Sequence, residues 1–182
     1  MSDDNELTFV DFPAAGGEVE SLTGALDRIR RTFAWKCGGL DADALRVTLG
    51  PSTLTIGGLL KHLAFCEDYY FTRSLHGREY GAPWAGVDFE ADPEWEWRTA
   101  ADDSPDELMA LWRSAVARSQ AAVDEALADG GLDRRVERTQ WTEKQSLRRV
   151  IIDMSEEYAR HTGHADLIRE SIDGLVGEDP RQ

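Results

Sequence analysis

Residues 146–174 read SLRRVIIDMSEEYARHTGHADLIRESIDG, a run with the apolar spacing of an α-helix. Successive residues of a helix are rotated by about 100°, so each position can be placed relative to His161. The side chains that fall within about 20° of His161 are all apolar: Val150, Met154, Ile168 and Ile172. The pattern predicts an amphipathic helix with His161 at the centre of its buried face.

Three further segments show the same period, at about residues 18–37, 55–75 and 104–127. The third opens with Ser104-Pro105-Asp106-Glu107, a capping residue followed by proline and two early acids. Four amphipathic helices without convincing strand pairs predict an all-α fold, an antiparallel four-helix bundle. We expect residues 1–182 to form one domain, with residues 1–15 poorly ordered or peripheral.

A long connection joins the second and third predicted helices, over about residues 81–103. It holds four large aromatic side chains among acidic residues: Trp84, Phe89, Trp95 and Trp97. This composition predicts an aromatic-rich loop folded back onto the body. The loop from Trp84 to Trp97 is then either a lid over a substrate pocket or packing at the edge of the core, and packing is the favoured interpretation.

The composition narrows the range of partners. With 20 Lys and Arg against 35 Asp and Glu, the net charge of -15 argues against binding to nucleic acid or to an anionic membrane surface. The acidic start lacks the features of a secretory signal, and no run of about 20 apolar residues is present, so a cytoplasmic protein is expected. Cys37 and Cys66 lack CxxC spacing and are each expected to be a small buried apolar side chain.

Three ionisable residues lie on or beside the face of the fourth helix that should be buried. Glu157 is rotated by about 40° from His161, and His164 by about 60° to the same side. Burying such groups is costly unless something compensates them, and a divalent cation does so directly. Residues at i and i+4 stand side by side on a helix, as Glu157 and His161 would. A third ligand is then expected from a facing helix, where His62 is the candidate.

Other interpretations of the same residues stay open. A single histidine on an apolar face is often a core residue that is hydrogen-bonded to a neighbour. Glu157 could pair with Arg160 or Arg148 at the surface. The remaining histidine, His76, lies where the second helix ends and is expected to be solvated.

The same two helices carry a family resemblance. LTIGGLLKHLAFCEDYYF at residues 54–71 and, more strongly, the run at 146–174 resemble the helical signatures of the DinB-like (YfiT-like) superfamily of bundle metalloproteins. The similarity points to the uncharacterised actinobacterial branch related to mycothiol-dependent maleylpyruvate isomerase. It implies a metal site of one histidine from the second helix and two ligands four apart on the fourth: His62, Glu157 and His161. Glu157, the first of the two ligands on the fourth helix, departs from a pattern in which both are histidines. It resembles the arrangement in the isomerase, where a glutamate precedes the histidine.

The resemblance also implies a function. It implies an enzyme with one divalent ion, for which zinc is the first expectation and nickel or iron are alternatives. The enzyme would act on a small-molecule substrate and use a low-molecular-weight thiol such as mycothiol. The implied reaction is an S-transfer or an isomerisation. His164 is expected to act as acid or base, or to replace Glu157 as a ligand. The alternatives are a non-catalytic metal- or ligand-binding bundle and a metal-dependent hydrolase. A fourth protein ligand from His164 would favour a structural site, whereas an open position facing a cavity would favour an enzyme. Relatives of this type also imply a homodimer.

Overall fold

A computed structural model describes residue 9 and residues 11–179 of the chain. Its main helices are α1 (Glu18–Cys37), α2 (Ile56–Glu67), α3 (Trp95–Thr99), α4 (Pro105–Ala128) and α5 (Leu147–Asp173). A π-helical segment, Asp68–Leu75, continues α2, and short 3-10 turns cover Ala44–Arg46, Ala100–Asp102 and Gly131–Asp133. The described residues contain no strand, only one isolated bridge between Arg135 and Ser146. The predicted all-helical fold is confirmed. The expectation for residues 1–15 falls largely outside the described residues.

The sequence dictates where the long helices begin and end. Ser104 caps α4 by accepting a hydrogen bond from the backbone N–H of Glu107, whose carboxylate accepts one from the Ser104 N–H. At the start of α5, Ser146 accepts from the N–H of Arg149. Gly174 ends that helix with φ of 75°, a left-handed conformation that glycine adopts without steric cost. None of the described helices is both long and apolar enough to cross a membrane.

The helices form a bundle in which α1 packs on α5 and α2 packs on α4. Helix α2 also contacts α5, and the short α3 lies against α2. At the centre, the ring of Phe33 meets Trp112 at 5.9 Å and Tyr158 at 5.8 Å between centroids. The contact of α2 with α5 brings together the two helices whose inward faces carry the predicted site.

Fully buried charges link the helices beside this contact. Arg30 of α1 donates to both carboxylate oxygens of Glu67 on α2, at 2.8 and 2.6 Å, and to Asp27 at 2.8 Å. The Tyr158 hydroxyl of α5 donates to Glu67 at 2.7 Å and accepts from Trp112 of α4. Because buried charges are tolerated only when they are paired and hydrogen-bonded, this network specifies how the helices pack.

Two predictions about individual elements need correction. Residues 81–103 were expected to form a loop without a helix, but they contain α3 and the 3-10 turn that follows it. Residues 55–75 were expected to be one α-helix, but hydrogen bonding changes to the π type from Asp68. Within the connection, Trp84 is buried and donates through its indole N–H to Asp68 at 2.7 Å.

Candidate metal centre

The three residues predicted as ligands lie together between α2 and α5. Oε1 of Glu157 lies 3.2 Å from Nε2 of His62 and 3.1 Å from Nε2 of His161. The two imidazole rings are 4.9 Å apart between centroids, in an edge-to-face arrangement. Each ring therefore directs its Nε2 atom at Oε1 of Glu157.

The side chains of the centre are largely buried, as the helical periodicity of α5 predicts for its inward face. His161 is only 7% exposed, and the side chains of His62 and Glu157 are 16% and 22% exposed. Glu157 contacts the two imidazoles, while Arg148 is instead paired with Glu18 and Asp133. A surface pair between Glu157 and Arg148 is thus not formed.

Cys66 belongs to the same cluster. Its Sγ lies 3.4 Å from Nε2 of His62, and one donor atom each from His62, Cys66 and Glu157 lie within 4.8 Å of one another. The prediction that Cys66 is a small side chain buried among apolar residues is confirmed, and its thiol additionally contacts His62. Its position four residues after His62 was the available signal, since such residues share one face of a helix.

The other ring nitrogen of His62 also has a partner, which sequence reasoning missed. Nδ1 of His62 donates to Oε1 of Glu96 at 3.2 Å. Glu96 is 4% exposed, and its second oxygen, Oε2, is buried without a hydrogen-bond partner among the described residues. Trp97 stacks on the His62 ring at 4.3 Å with an interplanar angle of 23°. The four aromatic side chains of residues 81–103 pack on the core, as favoured from the sequence, and α3 also forms one wall of the centre.

His164 lies on the far side of His161 from Glu157. Its Nδ1 is 3.3 Å from Nδ1 of His161, and burial together with the nearby His161 and Arg160 lowers its pKa. It therefore contacts the outer nitrogen of His161, and the geometry does not support it as a replacement for Glu157.

The prediction for His76 is wrong. Its side chain is 4% exposed rather than solvated, and its Nε2 donates to the carbonyl oxygen of Ala122 at 2.9 Å. At the end of the π-helical segment, the chain turns this histidine inward toward α4.

The groups around His62 favour the positively charged form of its imidazole. Burial lowers the pKa of His62, but hydrogen bonds with the Cys66 thiol and with two carboxylates outweigh it and raise the pKa to about 11. Hydrogen bonds from His161 and His62 hold the pKa of Glu157 well below its usual range. Burial raises the pKa of the Cys66 thiol, and its hydrogen bond with His62 opposes that effect.

These residues fit a divalent ion. Two imidazole nitrogens and a carboxylate oxygen, with a thiol beside them, are donors that zinc accepts and that nickel or iron(II) also accept. Metal-binding histidines characteristically have a partner on the second ring nitrogen, as His62 has in Glu96 and His161 has in His164. The buried, unpartnered oxygen of Glu96 is an excess of negative charge that a nearby cation would offset.

Two clefts reach the centre, and both include Tyr69, Tyr70 and Glu157. The polar cleft, of about 430 Å³, lies on the side of α5 and is lined by Arg149, Asp153, Arg160 and residues 139–141, among others. The aromatic cleft, of about 410 Å³, lies on the side of α3 and is lined by Phe65, Tyr80, Phe89 and Pro93, with Cys66 and Glu96 at the candidate centre. The centre is therefore accessible from two sides of different chemistry.

Comparisons with known proteins agree with this architecture. A family model described as mycothiol S-transferase matches residues 21–174. A crystal structure of a conserved protein from Enterococcus faecalis has the same fold, with a TM-score of 0.54 and 16% identity, and the match covers 88% of this chain and 100% of that one. No curated protein matches. The family match spans α1 to α5 and includes every residue of the candidate centre, and it confirms the predicted relationship to the DinB-like bundles. The chain belongs to the mycothiol S-transferase family.

Proposed function

We propose that the chain is a metal-dependent S-transferase, which joins the sulfur of a small mycothiol-type thiol to an electrophile. The observation that carries the proposal is the convergence of two imidazoles on one oxygen of Glu157, in a member of this family. Two clefts that reach the same carboxylate leave room for two reactants.

Each residue of the centre has a role in the proposal. His62, Glu157 and His161 hold the ion, while Glu96 orients the His62 ring through Nδ1. A bound divalent ion would supply a Lewis acid that lowers the pKa of a thiol in its coordination sphere. His164 is the proposed acid or base, since its Nδ1 lies 3.3 Å from Nδ1 of His161, and burial together with His161 and Arg160 lowers its pKa.

One observation favours a second candidate function, a bundle that binds a metal without catalysis. Cys66 lies close enough to His62 and Glu157 to serve as a further protein ligand beside those proposed, and zinc sites closed by four protein ligands are usually structural. The two clefts that open at Glu157 favour the enzyme instead.

The test is thiol consumption by the zinc-loaded protein, with mycothiol and a panel of electrophiles. Glu157→Gln should lower the rate by more than about 100-fold, because outer-shell changes alone typically cost 10–100-fold. Glu170→Gln is the matched control, since this glutamate is exposed on the same helix and outside the centre. No metal-dependent consumption across the panel would overturn the proposal and favour the non-catalytic bundle.

A further inference from the structure

The aromatic cleft has a continuous wall of rings. Phe65 of α2 stacks on Phe89 of the connection at 4.5 Å with an interplanar angle of 29°. Tyr80 lies 5.7 Å from Phe65 and 6.5 Å from Phe89 between centroids. A cavity of about 410 Å³ bounded by such rings lies within the size range of small-molecule sites.

The polar side chains that line this cleft are the tyrosines and the residues of the candidate centre, Cys66, Glu96 and Glu157. Among the described residues, no lysine or arginine lines it, and its carboxylates are Glu96 and Glu157. Arg73 packs over the Tyr80 ring at 5.4 Å, and its charge is paired with Glu79. The cleft therefore suits an uncharged apolar ligand and disfavours an anion.

The polar cleft has the opposite character. Arg149 and Arg160 line it together with Asp153 and the side chains of residues 139 and 140. A thiol that carries many hydroxyl groups could satisfy its hydrogen bonds there, whereas the same groups would lie unpaired against the aromatic wall. The two clefts meet at Glu157, so ligands in each would approach one another at the centre.

We propose that the aromatic cleft is the subsite for the second substrate, an uncharged aromatic electrophile, while the polar portion of the thiol occupies the polar cleft. The inference rests on the proposed S-transferase function. With an activated aryl halide, the thiolate sulfur bonds to the ring carbon and the carbon–halogen bond breaks. Halide leaves with the bonding electron pair, and the thiol proton passes to a base or to water.

The first test measures binding without the reaction. 1,3-Dinitrobenzene has no leaving group, and bound in this cleft it should quench Trp95, whose ring lies 6.4 Å from Phe89. The zinc-loaded protein should show saturable quenching without thiol, and Phe89→Ala should weaken the affinity by about 10-fold through loss of ring contacts. Phe12→Ala is the matched control, because Phe12 lines a different cleft between α1 and α5. Quenching that does not saturate, or equal affinity in wild type and Phe89→Ala, would overturn the subsite.

The second test measures selectivity in the reaction. Phe89→Ala should lower kcat/KM for 1-chloro-2,4-dinitrobenzene, relative to that for the small electrophile iodoacetamide, by about 10-fold. Phe89→Leu keeps an apolar side chain without the ring and should shift the same ratio in the same direction by about 3-fold, so it decides the question if the alanine variant does not fold. An unchanged ratio would refute the aromatic subsite while S-transfer itself stands. No conjugation of either electrophile by wild type, alongside saturable 1,3-dinitrobenzene binding, would refute the S-transferase and retain the ligand site.

Discussion

Glu96 supplies the contact that holds His62 in place within the candidate centre. Its Oε1 accepts from Nδ1 of His62 at 3.2 Å, which leaves Nε2 of the ring directed at Glu157. Such outer contacts fix both the tautomer and the orientation of a metal-binding histidine.

We therefore expect Glu96→Gln to weaken binding of a divalent ion by about 10- to 100-fold. The neutral amide removes negative charge beside His62 and is a weaker acceptor for its N–H. Competition with a chromophoric chelator measures the affinity, and Glu94→Gln, an exposed glutamate two positions earlier, is the matched control. Equal affinity in Glu96→Gln and wild type would show that this contact does not support the centre.

The sequence allowed only part of this cluster to be predicted. Glu157 and His161 could be found because the rotation of α5 turns them inward, and His62 because its helix had to face them. The contact of Cys66 with the cluster was missed, because a lone cysteine on an apolar helix face fits the hydrophobic periodicity as well as an alanine or a valine does. Glu96 and Trp97 were missed because α3 has only five residues, too few to show a helical period.

Among the elements, the end of α2 shows what periodicity cannot distinguish. An α-helix and a π-helix both bring apolar residues inward every three to five positions, so residues 55–75 read as one α-helix. The change at Asp68 depends on tertiary contacts, since this carboxylate accepts from Trp84 and is paired with Arg118. Single-turn π-helical irregularities occur frequently at functional sites, and here the segment carries Tyr69 and Tyr70 of both clefts.

The buried network at Glu67 should dominate the stability of the interface among α1, α2 and α5. Glu67→Ala leaves the Arg30 guanidinium with Asp27 alone and removes the acceptor of the Tyr158 hydroxyl. We expect a loss of about 3–5 kcal/mol in the free energy of unfolding, measured by urea denaturation.

The double variant Arg30→Met with Glu67→Met tests the cause of that loss. It removes both partners, so it should be less destabilised than Glu67→Ala, in which a buried charge is left poorly compensated. If the free energy of unfolding of Glu67→Ala lay within about 1 kcal/mol of the wild-type value, the ion pair of Arg30 with Glu67 would add little to the stability of the interface.

For the whole molecule, an excess of acids is partly compensated by arginine pairs that join distant parts of the chain. Arg148 at the start of α5 pairs with Glu18 of α1 and with Asp133 of the turn before α5. Its hydrogen bonds hold the pKa of both carboxyl groups below their usual values. Groups with a lowered pKa in the folded state stabilise it above their unfolded pKa, and this contribution is lost as the pH falls through the folded value.

Acidification below about pH 4 should therefore lower the melting temperature of the wild type. Arg148→Gln should melt at a lower temperature at pH 6 and lose less between pH 6 and pH 3, since its two carboxyl groups are no longer perturbed. Thermal unfolding followed by circular dichroism at several pH values measures this. If the melting temperature fell equally with pH in the two proteins, the claim that Arg148 lowers the pKa of Glu18 and Asp133 would be contradicted.

The most direct test of the account is the metal content of the purified protein and its variants. Elemental analysis should find about one divalent ion per chain in wild type and in Glu170→Gln. His62→Ala and His161→Ala should each lose it, because each removes one of the two imidazoles directed at Glu157. A full equivalent of metal retained in folded His161→Ala would contradict the claim that α2 and α5 hold a cation between them.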